Sequence, residues 1–284
     1  MNTEIDFVPA GGLGNRMKAM AAALRLARAV DARLNILWFQ DWGLGCRFDQ
    51  LFSLSEPWND CLREATMTDK LLRDRPRRHN FYLPRLYQRC RYDLCIGEEE
   101  ATRMMYEGQD LAALCRGRRV WLSSHVYFMG HDIPDDSFDT FHPIPKLQTE
   151  IERRLEKLEE LGRLEKLEKP NIVGVHIRRT DNQRSITDSP TELFVERMRQ
   201  EPSDTVFYLA TDSEDEKRQL SQIFGPRLQY APRQAERGTL QGMEDALVEM
   251  YLLARTRRIL GSAASTYSMT AAAIGRVPLE ILKN

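Results

Sequence analysis

Short runs of β-branched and aromatic residues alternate with longer stretches of helical period along this 284-residue chain. Ile5–Val8, Leu34–Phe39, Val120–Ser124, Ile172–Val175, Thr205–Ala210 and Arg258–Gly261 are the apolar runs. Runs of this length suit strands covered on both faces, as in a parallel sheet. Between them the spacing predicts helices over Met17–Ala29, Glu192–Arg199, Glu214–Phe224, Met243–Ala254 and Met269–Ile274. A longer helix is predicted over Leu147–Lys169, where Leu147, Ile151, Leu155, Leu158, Leu161, Leu164 and Leu167 fall in steps of three and four. Strand, helix and strand across Ile5–Phe39 fit one right-handed βαβ unit. The expected class is therefore α/β. Pro143 and Pro145 punctuate the chain before the long helix, which predicts two domains, 1–145 and 146–284.

Polar residues collect where these strands stop, and in open α/β sheets ligands bind beyond the carboxyl ends of strands. The densest set is His176-Ile177-Arg178-Arg179-Thr180-Asp181. Alternation puts His176 and Arg178 on one face of the strand and Arg179 on the other. Paired guanidinium forks suit phosphate; the alternative is a solvated loop in which they pair with Asp181 and nearby carboxylates. Thr211 and Asp212 end the next strand. Ser262, Ser265 and Thr266 follow the last one, where hydroxyls and backbone N–H groups at a helix start form an anion seat, or simply cap that helix. Near the N-terminus, strand, glycine loop and helix bring Gly12 and Gly14 before Asn15 and Arg16. This loop has neither P-loop spacing nor, with Met17 in the third position, the Rossmann glycine pattern. Asn15 and Arg16 stand where they can reach a bound group. Asp41 and His125 also lie at strand exits, with a turn and a structural hydrogen bond as their simpler readings.

Composition narrows the field. A net charge of -1 supplies no global attraction for nucleic acid or membrane. Locally, Lys70–Arg91 carries eight Lys and Arg against Asp74 alone, with Phe81, Tyr82 and Tyr87 interleaved. That segment reads as a solvated, loop-rich face, as a contact for a phosphorylated or lipid-linked acceptor at a membrane surface, or as a nucleic-acid face. No run of 18 apolar residues predicts a membrane span. A start without basic residues or a long apolar core is not a signal peptide. Five cysteines without C-x-x-C spacing fit reduced thiols in a cytoplasm. Cys90 and Cys95 lack histidines at zinc spacing, and His131–Asp139 lacks calcium-loop spacing, so no metal is expected.

Four segments together resemble the fucosyltransferase superfamily of nodulation, core α1,6-, α1,2- and protein O-fucosyltransferases. They are Gly11–Arg16, His176–Asp181, Tyr208–Asp212 and Gly261–Thr266. The resemblance implies a GT-B-like architecture, with two Rossmann-like domains facing a cleft, an N-terminal acceptor side and a C-terminal nucleotide-sugar side. It implies inverting, metal-independent transfer of fucose from GDP-fucose, with no cofactor beyond that donor, to a glycan or lipid-linked oligosaccharide. In that setting Arg178 neutralises the β-phosphate and His176 and Glu249 touch guanosine. Thr211 and Asp212 line the nucleotide pocket, Ser265 and Thr266 hold phosphate oxygens, and Asn15 reaches the donor across the cleft. The chain departs from core-type enzymes at Asn182, where they carry Lys, and lacks their acidic residue near Ile186. Asp41, Asp188 or no side chain remain as the base. The expected setting is cytoplasmic, at the inner face of a membrane, with Lys70–Arg91 touching it. Alternatives are another nucleotide-sugar donor, a non-catalytic nucleotide-sugar or glycan-binding protein, and a nucleic-acid binder.

Overall fold

The structure, a computed structural model, describes residues 2–41, 43–162, 171–233 and 236–284. The chain forms two compact units, Met1–His142 and Pro143–Asn284. The first contains β1 (Glu4–Pro9), α1 (Leu13–Val30), β2 (Arg33–Trp38), β3 (Phe52–Leu54), β4 (Leu62–Glu64), α2 (Met67–Leu72), α3 (Leu83–Arg91), β5 (Leu94–Ile96), α4 (Glu98–Tyr106), α5 (Leu111–Cys115), β6 (Arg119–Ser124) and the start of β7 (Phe141–Pro143). Its parallel sheet runs β4-β2-β1-β6-β5. α1 begins at Leu13 rather than Met17, because Gly11, at φ +82°, completes the turn by itself and Leu13 is already buried. Gly14, Asn15 and Arg16 therefore lie in the first turn of the helix rather than in a loop.

The second unit contains α6 (Pro145–Gly162), β8 (Ile172–Ile177), α7 (Gln183–Asp188), α8 (Thr191–Arg199), β9 (Val206–Thr211), α9 (Glu214–Phe224), β10 (Leu228–Tyr230), α10 (Leu240–Ala254), β11 (Ile259–Ser262), α11 (Thr266–Gly275) and β12 (Leu279–Leu282). Its parallel sheet runs β10-β9-β8-β11-β12, the order of half a doubly wound fold. The expected pair of Rossmann-like domains is what the chain forms. On one face of β8, Val173, Val175 and Ile177 pack against Phe194 and Met198 of α8 and Leu220 and Phe224 of α9. On the other, Gly174 lets α10 approach: a Cβ there would lie 2.9 Å from Leu253 Cδ2 and from Thr256 Oγ1. Leu147, Ile151 and Leu158 bury the inner stripe of α6, whereas Leu161 is exposed. The rest of the predicted long helix, with Leu164 and Leu167, lies outside the described residues.

The basic segment 70–91 is not loop-rich. The Thr66 hydroxyl accepts from Asp69 N–H and Asp69 accepts from Thr66 N–H, which starts α2. Pro84 sits in the first turn of α3, where its missing donor costs nothing.

Candidate functional site

In the second sheet the strand order reverses beside β8, with β9 on one flank and β11 on the other. That reversal opens a crevice at the carboxyl ends of the strands. Arg178, just past β8, donates its backbone N–H to Ser262 Oγ at 3.1 Å, which ties the ends of β8 and β11 together. Its Nη1 lies 2.9 Å from Asp212 Oδ2, just past β9, and its Nη2 donates to Asp181. Asp212 also accepts from Arg179 N–H and from the Thr180 hydroxyl, each at 2.7 Å. A second guanidinium reaches the cluster: Arg237 Nη1 donates to Asp181 Oδ2 at 2.8 Å. Burial and the nearby Arg178 both lower its pKa. Arg237 has no strand-end signature in the sequence and was not among the expected residues.

Arg179 turns to the opposite face, as strand alternation requires. Its Nε donates to Glu216 Oε1 at 2.6 Å, its Nη2 to Thr191 Oγ1 at 3.0 Å and its Nη1 to Arg178 O at 3.0 Å. Expected as a phosphate ligand beside Arg178, it instead fastens the loop to α8 and α9. Ser262 is committed in the same way, since its hydroxyl accepts from Arg178 and donates to His176 O at 3.3 Å.

His176 is buried, with its ring centroid 4.9 Å from that of Tyr267. Its buried Nδ1 makes no hydrogen bond within the protein. Burial, reinforced by Arg178, pushes its pKa down to about 3, so the ring is neutral at ordinary pH. Glu249 of α10 is buried too, and desolvation pushes its carboxyl up to about 8. Tyr267 donates its hydroxyl to Ala246 O on α10, so it links the His176 ring to that helix. Thr211 is buried at the end of β9, and its Oγ1 accepts from Ser213 N–H at 3.3 Å.

The turn between β11 and α11 is held from α7. Asn182 Nδ2 donates to Ala264 O at 2.9 Å, Ser185 Oγ to Ala263 O at 2.6 Å, and Ser189 Oγ accepts from Ala263 N–H at 2.8 Å. Ala264 is thereby kept at φ +52°, a strained value for a side chain with Cβ. The departure at position 182 thus has a local part: Asn182 caps α7 through Ser185 N–H and anchors this turn. Ser265 precedes α11 without a side-chain capping bond. Ser265 and Thr266 therefore open a helix whose first backbone N–H groups take no cap from the Ser265 side chain.

In the first sheet the order reverses between β1 and β6. Gly12 precedes α1 in extended conformation. Asn15 is half-buried, and its Oδ1 is buried without a hydrogen-bond partner in the protein. Arg16, expected to reach a ligand, has a wholly buried side chain. It donates to Gly11 O at 2.8 Å, Phe39 O at 2.6 Å and Asp41 Oδ1 at 2.8 Å, and lies 4.8 Å over the Trp38 ring. Burial lowers its pKa to about 10 despite Asp41. It shapes the loop from below rather than presenting a donor. The charges continue along the sheet edge: Asp41 Oδ2 to Arg75 at 3.0 Å, Arg75 to Glu98 Oε1 at 3.1 Å, and Glu98 Oε2 to His125 Nδ1 at 3.2 Å. Burial would raise the Glu98 carboxyl, yet His125 and Arg75 hold it below its ordinary value. His125 follows β6 directly and so stands at the reversal point. The sequence marked it without showing that Glu98 orients it.

Among the described residues no group of three His, Cys, Asp or Glu side chains is placed to hold a metal, and no helix is long and apolar enough to cross a membrane. No family model and no curated protein matches the sequence. Solved structures do match. Fucosyltransferase NodZ from Bradyrhizobium gives a TM-score of 0.63 at 18% identity, over 95% of this chain and 92% of that one. FUT1 of Arabidopsis thaliana in complex with GDP gives 0.62 at 14% identity, over 99% and 71%. POFUT1 in complex with GDP gives 0.53 at 11% identity, over 99% of both chains. Across nearly its whole length, this chain has the fold of solved fucosyltransferases.

Proposed function

We propose that this protein is an inverting fucosyltransferase that moves fucose from GDP-fucose to a glycan or lipid-linked oligosaccharide. The observation that carries the reading is the placement of Arg178. A fixed cation stands at the strand-order reversal of the second sheet, flanked by Asp212 and by the helix start at Ser265 and Thr266. A leaving nucleoside diphosphate gathers negative charge, and a preorganised guanidinium stabilises it without a metal. NodZ soaked with GDP-fucose shares the fold over 98% of this chain, which supports the choice of donor. In this reading the second unit holds the nucleotide sugar. His176 and Glu249 meet the guanosine, Thr211 and Asp212 line its pocket, and Ser265 and Thr266 take phosphate oxygens.

The first unit takes the acceptor, and Asn15 with the Gly12 and Gly14 backbone contacts the donor. Asp41 is a poor base, because Arg16 and Arg75 each hold one of its oxygens. Asp188 lies beside Arg184 at 3.5 Å, at the end of α7 in the other unit. His125 is the better group for the acceptor proton: it follows β6 directly, and Glu98 orients its ring through Nδ1. The reading places the enzyme in the cytoplasm at the inner face of a membrane. A thermal shift series with GDP, GDP-fucose, GDP-mannose and UDP-sugars, with and without EDTA, tests it. At about 100 times its Kd, a ligand that binds only the folded state adds about 2.7 kcal/mol. A shift with GDP and GDP-fucose that survives EDTA, followed by release of GDP on adding an acceptor glycan, is the expected result. Shifts with UDP-sugars alone would change the donor. Binding of GDP-fucose without turnover on any acceptor would favour the non-catalytic binding reading.

A further inference from the structure

Six large apolar side chains stand exposed between positions 67 and 86 of the first unit. Phe81 is 81% exposed, Met67 72% and Leu86 71%, and Leu71, Tyr82 and Leu83 are about half exposed. They lie on α2, on α3 and on the turn between them, two helices that pack on each other. Single exposed leucines need no explanation, but a contiguous apolar patch does.

The turn is built to hold its rings outward. Phe81 and Tyr82 take φ values of +52° and +57°, a region that bulky residues avoid. Buried Asn80 enforces this, with Nδ2 donating to Arg75 O at 2.8 Å and Oδ1 accepting from Arg77 N–H at 2.9 Å. Tyr82 N–H donates to Arg77 O at 3.1 Å. Gln88 ties α3 back to Asp74 O at 3.0 Å. Strain is thus accepted in order to present a phenylalanine that packs on almost nothing.

The exposed charge of this segment has one sign. Lys70, Arg78, Arg85 and Arg89 are exposed, and Arg85 lies 5.2 Å over the Tyr82 ring. The carboxylates between 67 and 91, Asp69 and Asp74, are buried and paired with Arg63 and Arg77. A second copy of the chain would press these cations against each other. Single-stranded nucleic acid would stack on the two rings and leave Met67, Leu71, Leu83 and Leu86 wet. An anionic bilayer satisfies both components, with apolar side chains at the acyl boundary and cations among the phosphates. We propose that the α2–α3 face docks this protein onto an anionic lipid bilayer, with Phe81 and Leu86 inserted and Lys70, Arg78, Arg85 and Arg89 on the headgroups. The docking stands on this surface alone. Its use, bringing a lipid-linked acceptor to the enzyme, rests on the transferase reading above.

The test is co-sedimentation of the full chain with phosphatidylcholine vesicles and with vesicles containing phosphatidylglycerol. Binding to the anionic vesicles that weakens with salt is expected. Phe81→Asn with Leu86→Gln should weaken it about tenfold or more, and Asn tolerates the left-handed backbone, so folding is not at risk. Arg85→Glu with Arg89→Glu should cost about fivefold per charge removed. The GDP thermal shift, read in the other unit, should survive in every variant, which separates failure of docking from failure of the donor site. Equal binding to neutral vesicles, indifference to the Phe81 and Leu86 changes, or patch-dependent binding of a single-stranded oligonucleotide in place of vesicles would overturn the proposal. So would patch-dependent dimerisation without vesicle binding.

Discussion

Ile177 and Thr211 are register partners in the second sheet, and the residues that follow them, Arg178 and Asp212, form an ion pair with Nη1 and Oδ2 2.9 Å apart. Parallel pairing delivers both side chains to the same edge at the same height. Asp212 also gathers the Arg179 N–H and the Thr180 hydroxyl, so one carboxylate fixes both the loop and the guanidinium. In the proposed reading, a phosphate arriving at this edge meets a cation whose position is already fixed.

Arg178→Ala should lower the transfer rate by about 10²–10³, the usual loss for one preorganised donor at a charge-developing atom. Arg178→Lys should recover only part of it, because an ammonium lacks the planar fork. Asp212 keeps its loop donors from Arg179 and Thr180 in either variant, so the melting temperature should change little. Initial rates with GDP-fucose check this, and an unchanged rate in Arg178→Ala would sink the assigned role.

Asp41→Ala should be among the most damaging single changes in the first unit. It leaves Arg16, whose side chain is wholly buried, with only carbonyl oxygens as acceptors. Breaking a buried pair from one side typically costs about 3–5 kcal/mol. Urea unfolding should show the loss. Asp41→Asn, which keeps an acceptor toward Arg16, should lose less.

The central strands were legible because β8, β9 and β11 are buried along their length and so read as unbroken apolar runs. β4, β5, β10 and β12 were not, since each has only three or four residues with partial exposure. The polar strand ends were visible as sequence, but the division of labour among them was not. Arg179 looked equivalent to Arg178, yet its partner Glu216 lies 37 positions away on the opposite face. Arg16 looked available at a helix start, yet Asp41, 25 positions on, closes over it. Glu98 and His125, 27 apart, meet only because β5 and β6 are neighbours. Composition shows which residues carry charge, and topology decides which of them is already spoken for.

If His125 takes the acceptor proton as proposed, His125→Gln should lower turnover while leaving the GDP thermal shift intact. General-base losses run at about 10²–10⁴. Glu98→Ala should give a smaller loss in the same quantity, since it turns the ring loose without removing it. Rates measured at saturating donor separate this from a binding defect. Full turnover in His125→Gln would leave the acceptor proton to another group.

Glu249 should make the protein less stable as pH rises. Its carboxyl titrates near 4.5 in the unfolded chain and is pushed up to about 8 in the fold by burial. Lys217 and Arg154 oppose that shift, and Asp245 and Glu214 add to it. Between those two values the folded state keeps a proton that the unfolded state has lost, so stability falls with pH across the interval. His176 works in the other direction and lower down. It is held at about 3 against 6.5 when unfolded, so it raises stability with pH up to about 6.5 and then contributes a constant. Above that point Lys18, which burial pushes down to about 8, raises stability with pH from about 8 upward in both proteins, so the difference between wild type and Glu249→Gln isolates Glu249. Urea midpoints from pH 6.5 to 8.5 should decline in the wild type relative to Glu249→Gln, which mimics the protonated carboxyl, and the variant should be the more stable of the two at pH 8.5. A parallel decline in both proteins would mean that Glu249 is ionised in the fold. It would then have to be held by Lys217 and Arg154 against its burial, which would also change what it presents to a purine ring: an acceptor only, rather than a carboxyl able to donate.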